Sequence, residues 1–259
     1  MTYFNLTFIA ALFMYGCGSS QNTTTPSSTT TEPVTTTSTP TQKFIKNVDA
    51  QTFKQLIEQE EGIILDVRTP EEVVSGQIPN ASTINLYDAD FAQKINLMQK
   101  DKIIFVYCRS GARSAQAAQT LSQNGFDRVY NLQGGIMAWQ NQGFALTTPT
   151  AKPDPNIKSM TLDDFNVLIK TDKPVLIDFH TVWCSPCVKM APIIDQIEDE
   201  FGTKAVVKRI DVDKSKDVGK AYNITGVPVF IIFKNGKQVW KHNGMISKDD
   251  LTAELKKYL

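Results

Sequence analysis

The sequence has no charge imbalance, few cysteines and few histidines. Lys and Arg number 27, as do Asp and Glu, so nothing global favours a nucleic acid or a strongly anionic partner. Four cysteines in 259 residues are too few for a disulfide framework. A zinc site at the Cys184/Cys187 pair would need two more ligands, and nothing in the sequence brings His180 and His242 together there. The sequence therefore predicts no metal and no cofactor, and each cysteine can be considered for its own function.

The N-terminus contains an uncharged apolar run, MTYFNLTFIAALFMYGC, that is shorter than the ~20 residues needed to span a bilayer. Its end, Gly16-Cys17, resembles a bacterial lipoprotein signal, in which a small residue precedes a cysteine that is lipidated. Tyr15 is bulkier than is usual there, and no Lys or Arg precedes the run. The alternative is an ordinary cleaved signal in which Cys17 has no function.

Residues 18–43 are predicted to be a disordered tether. The stretch 19–42 consists almost entirely of Thr, Ser and Pro, and Glu32 is its only charged residue. Such a stretch cannot bury enough apolar surface to offset the entropy of ordering it. Together with the signal segment 1–17, it predicts a protein lipid-anchored in a bacterial cell envelope, periplasmic or surface-facing.

Two α/β blocks follow the tether, at 44–147 and 157–259, with a linker rich in Pro and Thr at 148–156. In both blocks short apolar β-rich runs alternate with amphipathic stretches at helical spacing. This alternation predicts α/β units, with a largely parallel sheet in the first block.

Particular elements can be placed in each block. In the first, 63–67 and 102–108 are predicted strands and 91–99 a predicted helix. In the second, we predict strands at 174–179 and 205–213, a helix capped by Thr161, a helix beginning at the paired cysteines and containing Pro192, a hairpin turning at Asn235-Gly236 and a closing helix.

The first candidate site begins where the run Phe105-Val106-Tyr107 ends at Cys108. In open α/β sheets the chemistry lies at the carboxyl ends of the strands. The loop after Cys108 is expected to lead into a helix, so its backbone N–H groups and the helix N-terminus would favour a thiolate. Arg109 and Arg113 add positive charge to the same loop.

The sequence of the first block resembles the rhodanese family of sulfurtransferases. The matching segments occur in the family's order and spacing. They are Leu65-Asp66-Val67-Arg68, Gly76-Gln77-Ile78-Pro79-Asn80-Ala81, Cys108-Arg109-Ser110-Gly111-Ala112-Arg113 and Gly134-Gly135-Ile136-Met137-Ala138-Trp139. Gln77 stands where the family commonly has His.

The resemblance implies that Cys108 attacks a sulfane sulfur donor, thiosulfate or a persulfide, and itself becomes a persulfide. An acceptor nucleophile then takes the sulfur. Asp66 and Arg68 are implied to form a structural salt link. The donor is implied to be held by the loop residues Arg109, Ser110, Gly111, Ala112 and Arg113.

A rival interpretation of this loop is a phosphatase or arsenate reductase site. Those related enzymes place five residues between the cysteine and an arginine, whereas four separate Cys108 from Arg113. The smaller ring of amides suits a single sulfur atom better than a tetrahedral oxyanion, so we favour sulfur chemistry.

The second candidate site is Trp183-Cys184-Ser185-Pro186-Cys187, between a predicted strand and a predicted helix. Two cysteines with this spacing at a helix start are typical of a redox dithiol. We expect Cys184 in the first turn, where unpaired N–H groups lower the pKa of a thiol. Cys187 lies one turn on, within disulfide reach.

The second block resembles thioredoxin along its whole length. The resemblance predicts a mixed sheet with flanking helices, so the chain would hold two α/β domains. The supporting residues are Asp178, the segment Trp183–Cys187, Pro192, Val227-Pro228 after Thr225-Gly226, and Gly244. Ser185 replaces the usual glycine of the family.

The resemblance implies an exposed nucleophile, Cys184, that forms a mixed disulfide with a substrate, and a resolving thiol, Cys187. Asp178 is expected to be buried, with a pKa raised by desolvation, and to help move the proton of Cys187. Pro228 is expected to be cis, and Trp183 and Val227 to contact substrate. We interpret His180 as a strand residue with satisfied hydrogen bonds.

Three hypotheses for function remain open. In the first, a persulfide on Cys108 is reduced by the Cys184/Cys187 dithiol with release of sulfide. In the second, the domains act separately, and the dithiol exchanges with protein disulfides or thiols using a membrane electron donor. In the third, the first domain is only a docking module.

Overall fold

The structure, a computed structural model, describes residues 43–148 and 159–259. The predicted signal segment with Cys17 lies outside the described residues, as do nearly all of the predicted tether and linker. Among the described residues, no helix combines the length and apolar character that crossing a bilayer requires. These residues belong to one compact unit, Thr41–Leu259, which carries two β-sheets.

The first sheet has five strands. They are β1 (Phe44–Val48), β2 (Gly62–Asp66), β3 (Ser82–Thr83), β4 (Ile103–Tyr107) and β5 (Arg128–Leu132). All are parallel, in the order β1-β5-β4-β2-β3, which confirms the predicted parallel sheet. The predicted strands 63–67 and 102–108 are β2 and β4, within one residue at each end. The other three were not predicted, because β1 and β5 carry polar residues and β3 has only two residues.

Helices cover both faces of this sheet. They are α1 (Ala50–Gln59), α2 (Pro70–Val73), α3 (Phe91–Ile95), α4 (Ala112–Gln123) and α5 (Gly135–Asn141). Every side chain of β4 is buried, as expected for a central parallel strand that is covered on both faces. Alternate residues enter two cores, so that Val106 and Cys108 pack in one while Phe105 and Tyr107 pack in the other.

The helix predicted over 91–99 is too long, because α3 ends at Ile95. The next amides donate to carbonyls three residues back, from Leu97 to Lys94 and from Met98 to Ile95. These tight turns carry the chain out of the helix towards the second domain. The domain ends with Thr147, which exchanges two backbone hydrogen bonds with Gln77.

The second sheet has four strands. They are β6 (Val175–His180), β7 (Val206–Asp211), β8 (Val229–Lys234) and β9 (Lys237–Asn243). The order is β7-β6-β8-β9, parallel between β6 and β7 and antiparallel elsewhere, so the predicted mixed sheet is confirmed. The hairpin turns at Asn235 and Gly236, both at positive φ, as predicted from the Asn-Gly pair.

Four helices flank the second sheet. They are α6 (Leu162–Leu168), α7 (Ser185–Phe201), α8 (Lys216–Ala221) and α9 (Lys248–Lys256). The Thr161 side chain accepts from the Asp164 amide and caps α6, as predicted. The position predicted for Cys184 was wrong by one residue, since it is the N-cap of α7 rather than part of the first turn. Pro186, one position inside the helix, fixes where the helix starts.

Candidate functional site

The Cys108 sulfur lies directly after β4, in a loop that leads into α4. The Gly111 amide donates to Cys108 Sγ over 3.1 Å, and the Ser114 hydroxyl lies 3.4 Å from the same sulfur. Gly111 has a φ of 99°, which allows its amide to turn back towards the sulfur. Only 1 % of Cys108 is exposed. The loop therefore holds one sulfur atom against several hydrogen-bond donors.

These donors set the acidity of Cys108. Burial raises the pKa of the thiol, because it penalises the charged form. Hydrogen bonds from the Ser114 hydroxyl and from the amides of Ser114, Gly111 and Ser110 outweigh burial, and the pKa lies below its ordinary value. The site thus favours a thiolate through fixed dipoles, as the sequence predicted.

The start of α5, at the Gly134-Gly135 pair, is hydrogen-bonded to the Cys108 loop. The Ile136 amide donates to the Cys108 carbonyl over 2.8 Å, and the Met137 amide to the Arg109 carbonyl over 3.2 Å. A Cβ on Gly135 would lie 2.4 Å from the Cys108 carbonyl oxygen. The start of α5 can approach the reactive loop this closely only with glycine at that position.

The two loop arginines have different surroundings. Arg109 is exposed, whereas Arg113 forms a two-pronged ion pair with Glu72, at 2.6 and 2.7 Å. The Arg113 guanidinium lowers the pKa of Glu72 to about 2. The charge of Arg113 is therefore largely neutralised, so only Arg109 presents an uncompensated guanidinium to an anionic donor.

Sequence reasoning missed Glu72. It is the third helical residue of α2, where its side chain accepts from the Thr69 amide in a capping box. The Thr69-Pro-Glu-Glu72 pattern signals the cap, but not the distant arginine. The expected salt link between Asp66 and Arg68 is present, at 2.7 Å, with both side chains buried.

The second site is a disulfide between Cys184 and Cys187 at the start of α7. The Cys187 amide donates to Cys184 Sγ over 3.2 Å. The peptide bond between Val227 and Pro228 is cis, as predicted. Cys184, Cys187 and Val227 pack in the same apolar core.

The prediction that Cys184 is exposed is wrong for this structure, since 3 % of it is exposed. The first domain lies against the loop that carries it. The Thr83 amide donates to the Trp183 carbonyl over 3.3 Å, and the Ser185 amide donates to the Ser82 hydroxyl over 3.0 Å. The residues on both sides of Cys184 are therefore bonded to the edge strand β3.

Asp178 is fully buried on β6. Desolvation raises its pKa to about 7, although the Arg209 guanidinium acts in the opposite direction. Arg209 Nε lies 3.3 Å from Asp178 Oδ2, while Oδ1 has no hydrogen-bond partner among the residues that the structure describes. The expected direction of the pKa is thus confirmed, and Arg209, which the sequence did not single out, is the cation beside it.

His180 was interpreted as a residue with satisfied hydrogen bonds, and this is wrong for one of its ring nitrogens. Within residues 43–148 and 159–259, its buried Nε2 has no hydrogen-bond partner. Burial lowers the pKa of His180 to about 4, so the ring is neutral at pH 7. The residue in register with it on the neighbouring strand is Asp211, whose Oδ2 also lacks a hydrogen-bond partner in this described part of the chain.

Trp183 connects the two domains. Its Nε1 donates to Asp213 Oδ2 over 2.6 Å, a contact that sequence reasoning missed. Its ring packs against the core that contains Cys184 and also against the core that contains Cys108. The residue before the redox dithiol is therefore part of the surroundings of both sulfur sites.

The residues predicted to bind substrate are divided between the sites. Ser110, Gly111 and Ala112 remain in the loop around Cys108, with Ser110 and Ala112 exposed. Val227 is 3 % exposed, and its amide donates to the Leu97 carbonyl of the first domain. In the part of the chain that the structure describes, no three His, Cys, Asp or Glu side chains are grouped to hold a metal ion.

Comparisons with known proteins match the two domains separately. The rhodanese-like domain model matches residues 49–142, and the thioredoxin model matches residues 156–257. A protein named Sulfurtransferase from Allochromatium vinosum is 37% identical over 106 residues, which are 40% of this chain and 97% of that protein.

The thioredoxin relatives match the second domain. Thioredoxin of Alicyclobacillus acidocaldarius is 36% identical over 99 residues, 38% of this chain and 94% of that protein. Thioredoxin Y, chloroplastic, of Oryza sativa is 37% identical over 103 residues, 39% of this chain, and the chain spans 61% of that relative's length. These similarities support an enzyme with sulfurtransferase and thiol redox activity. The chain belongs to the rhodanese-like sulfurtransferases through its first domain and to the thioredoxins through its second.

Proposed function

We propose that the chain couples its two activities: Cys108 collects sulfane sulfur as a persulfide, and the reduced Cys184/Cys187 dithiol reduces that persulfide and releases sulfide. The substrates are then a sulfane sulfur donor, such as thiosulfate or a persulfide, and an external thiol reductant that restores the dithiol.

The docking of the dithiol loop beside the Cys108 domain is the observation that carries this proposal. Trp183 accepts a hydrogen bond from Thr83 on β3. Thr83 is in register with Asp66 on β2, which is in register with Tyr107 on β4. Adjacent strands lie about 4.8 Å apart, so the Thr83 and Tyr107 backbones are separated by roughly 10 Å. Cys108 directly follows Tyr107, and the Trp183 ring packs against the core that contains Cys108, so the two sulfur sites belong to neighbouring parts of the molecule.

The proposed steps balance in atoms and electrons. The Cys108 thiolate attacks the outer sulfur of thiosulfate, an S–S bond forms, and sulfite leaves. The Cys184 thiolate attacks the outer sulfur of the Cys108 persulfide, and the Cys108 thiolate leaves. The Cys187 thiolate then attacks Cys184 Sγ, hydrosulfide leaves, and the pair ends as a disulfide. Two electrons pass from the dithiol to the sulfur atom.

The surroundings of each sulfur suit its step. The hydrogen bonds that lower the pKa of Cys108 stabilise the thiolate both as nucleophile and as leaving group. Asp178, with a pKa of about 7, exists as carboxylate and carboxylic acid near neutrality, so it is suited to take the proton of Cys187.

Single-turnover release of sulfide tests the coupling. Fully reduced protein is mixed with one equivalent of thiosulfate, and sulfide is followed in wild type and in Cys184→Ser. We expect at least a tenfold slower release in the variant. Loading of Cys108 by free thiosulfate is bimolecular, but release of sulfide from molecules that already carry the persulfide should be independent of protein concentration, since covalent linkage gives the sites an effective concentration in roughly the millimolar range.

Other outcomes favour the other hypotheses. Equal release by wild type and Cys184→Ser would make coupling within the chain wrong and leave two independent domains. Absence of thiosulfate:cyanide sulfurtransferase activity in wild type would favour the first domain as a docking module for a protein disulfide reductase.

We further propose that the enzyme is exported and lipid-anchored in a bacterial cell envelope, with a membrane protein as its electron donor. The support is the apolar segment that ends at Gly16-Cys17 and the tether rich in Thr, Ser and Pro that follows. Labelling of expressing cells with a radioactive fatty acid tests this, because Cys17→Ala should abolish incorporation.

A further inference from the structure

A short segment of the first domain, Leu97–Gln99, lies against the backbone of Val227 beside the dithiol. The Val227 amide donates to the Leu97 carbonyl over 2.9 Å. The Gln99 side-chain amide lies 3.5 Å from the Val227 carbonyl oxygen. Both backbone polar groups of Val227 therefore face the first domain and not their own sheet.

Two glycines of the second domain make room for Gln99. A Cβ on Gly226 would lie 3.3 Å from Gln99 Cγ and 3.5 Å from its Cα, and a Cβ on Gly244 would lie 3.3 Å from Gln99 Nε2. The two contacts of 3.3 Å are tighter than ordinary van der Waals contacts, so a side chain on either glycine would require Gln99 to move. The surface around Val227 is thus shaped for the close approach of another stretch of backbone.

The same segment contributes to covering the dithiol. The Leu97 side chain packs against the apolar core that contains Cys184, Cys187 and Val227. Cys184 is 3 % exposed. An extended protein segment that approached Cys184 along this edge would need the space that Leu97–Gln99 fills.

We propose that Leu97–Gln99 is an internal occupant of the Val227 edge, where the thioredoxin resemblance implies contact with substrate, and that protein disulfides must displace this segment before they react with Cys184. This proposal rests on the thiol redox activity of the dithiol, but not on its coupling to Cys108.

The physical reason is competition for backbone hydrogen bonds. An extended peptide gains affinity by pairing its own N–H and C=O groups with an exposed edge. At Val227 both groups are already engaged by a segment of the same chain, whose effective concentration is roughly millimolar. A protein substrate at micromolar concentration therefore reacts only with the fraction of molecules in which the segment has left.

Two full-length variants weaken the internal contact. Leu97→Asp places a carboxylate against the apolar core of the second domain, and Gln99→Trp is too large for the space between Gly226 and Gly244. The matched control is Asn96→Asp, which adds the same charge one position away. Asn96 is exposed, and its side chain bonds within the first domain, to Asn124 and Lys100.

Reduction of insulin is compared with reduction of the small disulfide 5,5′-dithiobis(2-nitrobenzoate), using pre-reduced protein. We expect Leu97→Asp and Gln99→Trp to reduce insulin about tenfold faster than wild type, because in these variants Leu97–Gln99 no longer occupies the Val227 edge. The small disulfide needs no peptide edge, so its rate should change less than about threefold. Asn96→Asp should match wild type with both substrates.

The possible outcomes distinguish failure of the internal-occupant proposal from failure of its premise, the thiol redox activity of the dithiol. Failure of every form to reduce the small disulfide would mean that the thiol redox activity itself is wrong. Normal reduction of the small disulfide, with insulin rates equal to wild type in both variants, would overturn the internal occupant. Equal acceleration of both substrates would also overturn it, since that indicates general shielding and not a peptide edge.

Amide hydrogen exchange of the wild-type protein gives a test that does not depend on how the variants fold. The Val227 amide should be protected, since it donates to Leu97. Excess unfolded, alkylated insulin chains should increase exchange of the Thr83 and Ser185 amides, which donate across the domain contact, as the domains separate. Exchange of Val227 at the rate of an exposed loop amide would overturn the proposal.

Discussion

The two sulfur sites present a backbone amide to the reactive sulfur in the same way but differ in the other groups beside it. In each, the backbone amide three residues after the cysteine donates to the sulfur, from Gly111 to Cys108 over 3.1 Å and from Cys187 to Cys184 over 3.2 Å. Cys108 directly follows β4 and its loop leads into α4, whereas Cys184 lies between β6 and α7 and is the N-cap of α7. The local geometry alone therefore does not distinguish a sulfur carrier from a redox centre.

The difference lies in the neighbouring groups. Beside Cys108 there is a hydroxyl, Ser114, and the described residues place no second thiol there, so within the folded domains the sulfur can carry one atom without forming a local disulfide. Beside Cys184 there is Cys187, with a buried carboxyl, Asp178, whose pKa of about 7 suits proton exchange at neutral pH. The comparison indicates that the second group, and not the thiolate, decides between atom transfer and electron transfer.

Removal of Cys108 is expected to have the largest effect. Cys108→Ser should lower thiosulfate:cyanide sulfurtransferase activity on the order of a thousandfold or more, because the nucleophile is lost. Reduction of a small disulfide by the same variant should stay within about twofold of wild type. Cys184→Ser should give the reverse pattern. Loss of both activities in either variant would contradict two separable sites.

Asp178→Asn tests the buried carboxyl of the redox site. An unfolded Asp loses its proton near pH 4, whereas folded Asp178 holds it up to about pH 7. The stabilisation from the protonated form is therefore present below pH 4 and is lost as the pH rises to 7. Because Asn resembles the protonated form, the variant should be more stable than wild type by about 2–4 kcal/mol at pH 8 and equal to it at pH 3.5.

The same variant should slow disulfide exchange at pH 7 by about tenfold, since the proton acceptor for Cys187 is lost. Urea unfolding at the two pH values and stopped-flow exchange with a small disulfide measure the two effects. Asp199→Asn, on the exposed face of α7, is the control and should change neither. Equal stability of the Asp178 variant and wild type at both pH values would contradict a raised pKa.

Glu72→Gln tests the ion pair at the first site. Its pKa of about 2 means that the ion pair stabilises the folded protein above about pH 4.5 and ceases to do so as the pH falls towards 2. About a quarter of the side chain is exposed, so solvent weakens the pair. We expect the variant to lose about 1–2 kcal/mol of stability at pH 7 and almost none near pH 2, by urea unfolding.

The control for this change is Glu71→Gln, an exposed neighbour in the same helical turn. It should retain wild-type stability at both pH values. A loss in Glu72→Gln that is as large at pH 2 as at pH 7 would show that packing of the side chain matters and its charge does not.

Ser114→Ala is expected to have the smallest effect. The hydroxyl lies 3.4 Å from the Cys108 sulfur and 3.1 Å from the Gly111 carbonyl, so it divides its one proton between two acceptors. Its loss should raise the pKa of Cys108 and slow alkylation by iodoacetamide at pH 7 about two- to fivefold. Ser110→Ala should alkylate as wild type does, because Ser110 acts through its backbone amide.

Local patterns were sufficient for some elements and not for others. The central strands β2 and β4, the Asn235-Gly236 hairpin and the Thr161 cap were predicted from short stretches, because their signals are apolar runs, turn residues and capping side chains. The strands β1, β3 and β5 were missed, since mixed polarity or two-residue length leaves no such signal. The helix predicted over 91–99 was too long because contacts with the second domain take over after Ile95.

At the candidate sites, too, short motifs could be interpreted from the sequence, whereas contacts between distant residues could not. The three cysteines of the folded domains followed from their motifs, and the raised pKa of Asp178 followed from the resemblance to thioredoxin, which implies a buried carboxyl there. Glu72 and Arg209 were missed, because the partners of Arg113 and Asp178 lie 41 and 31 residues away in the chain. The exposure of Cys184 was predicted wrongly because the covering residues belong to another domain.

The sequence by itself determined two families, two α/β domains and three candidate reactive cysteines, since these follow from short motifs spread along each domain. Only the tertiary structure decided that Arg113 pairs with Glu72, that His180 Nε2 finds no hydrogen-bond partner among the described residues and that Leu97–Gln99 lies on the Val227 edge. These are properties of surfaces brought together by packing, where burial and charge depend on residues distant in the chain.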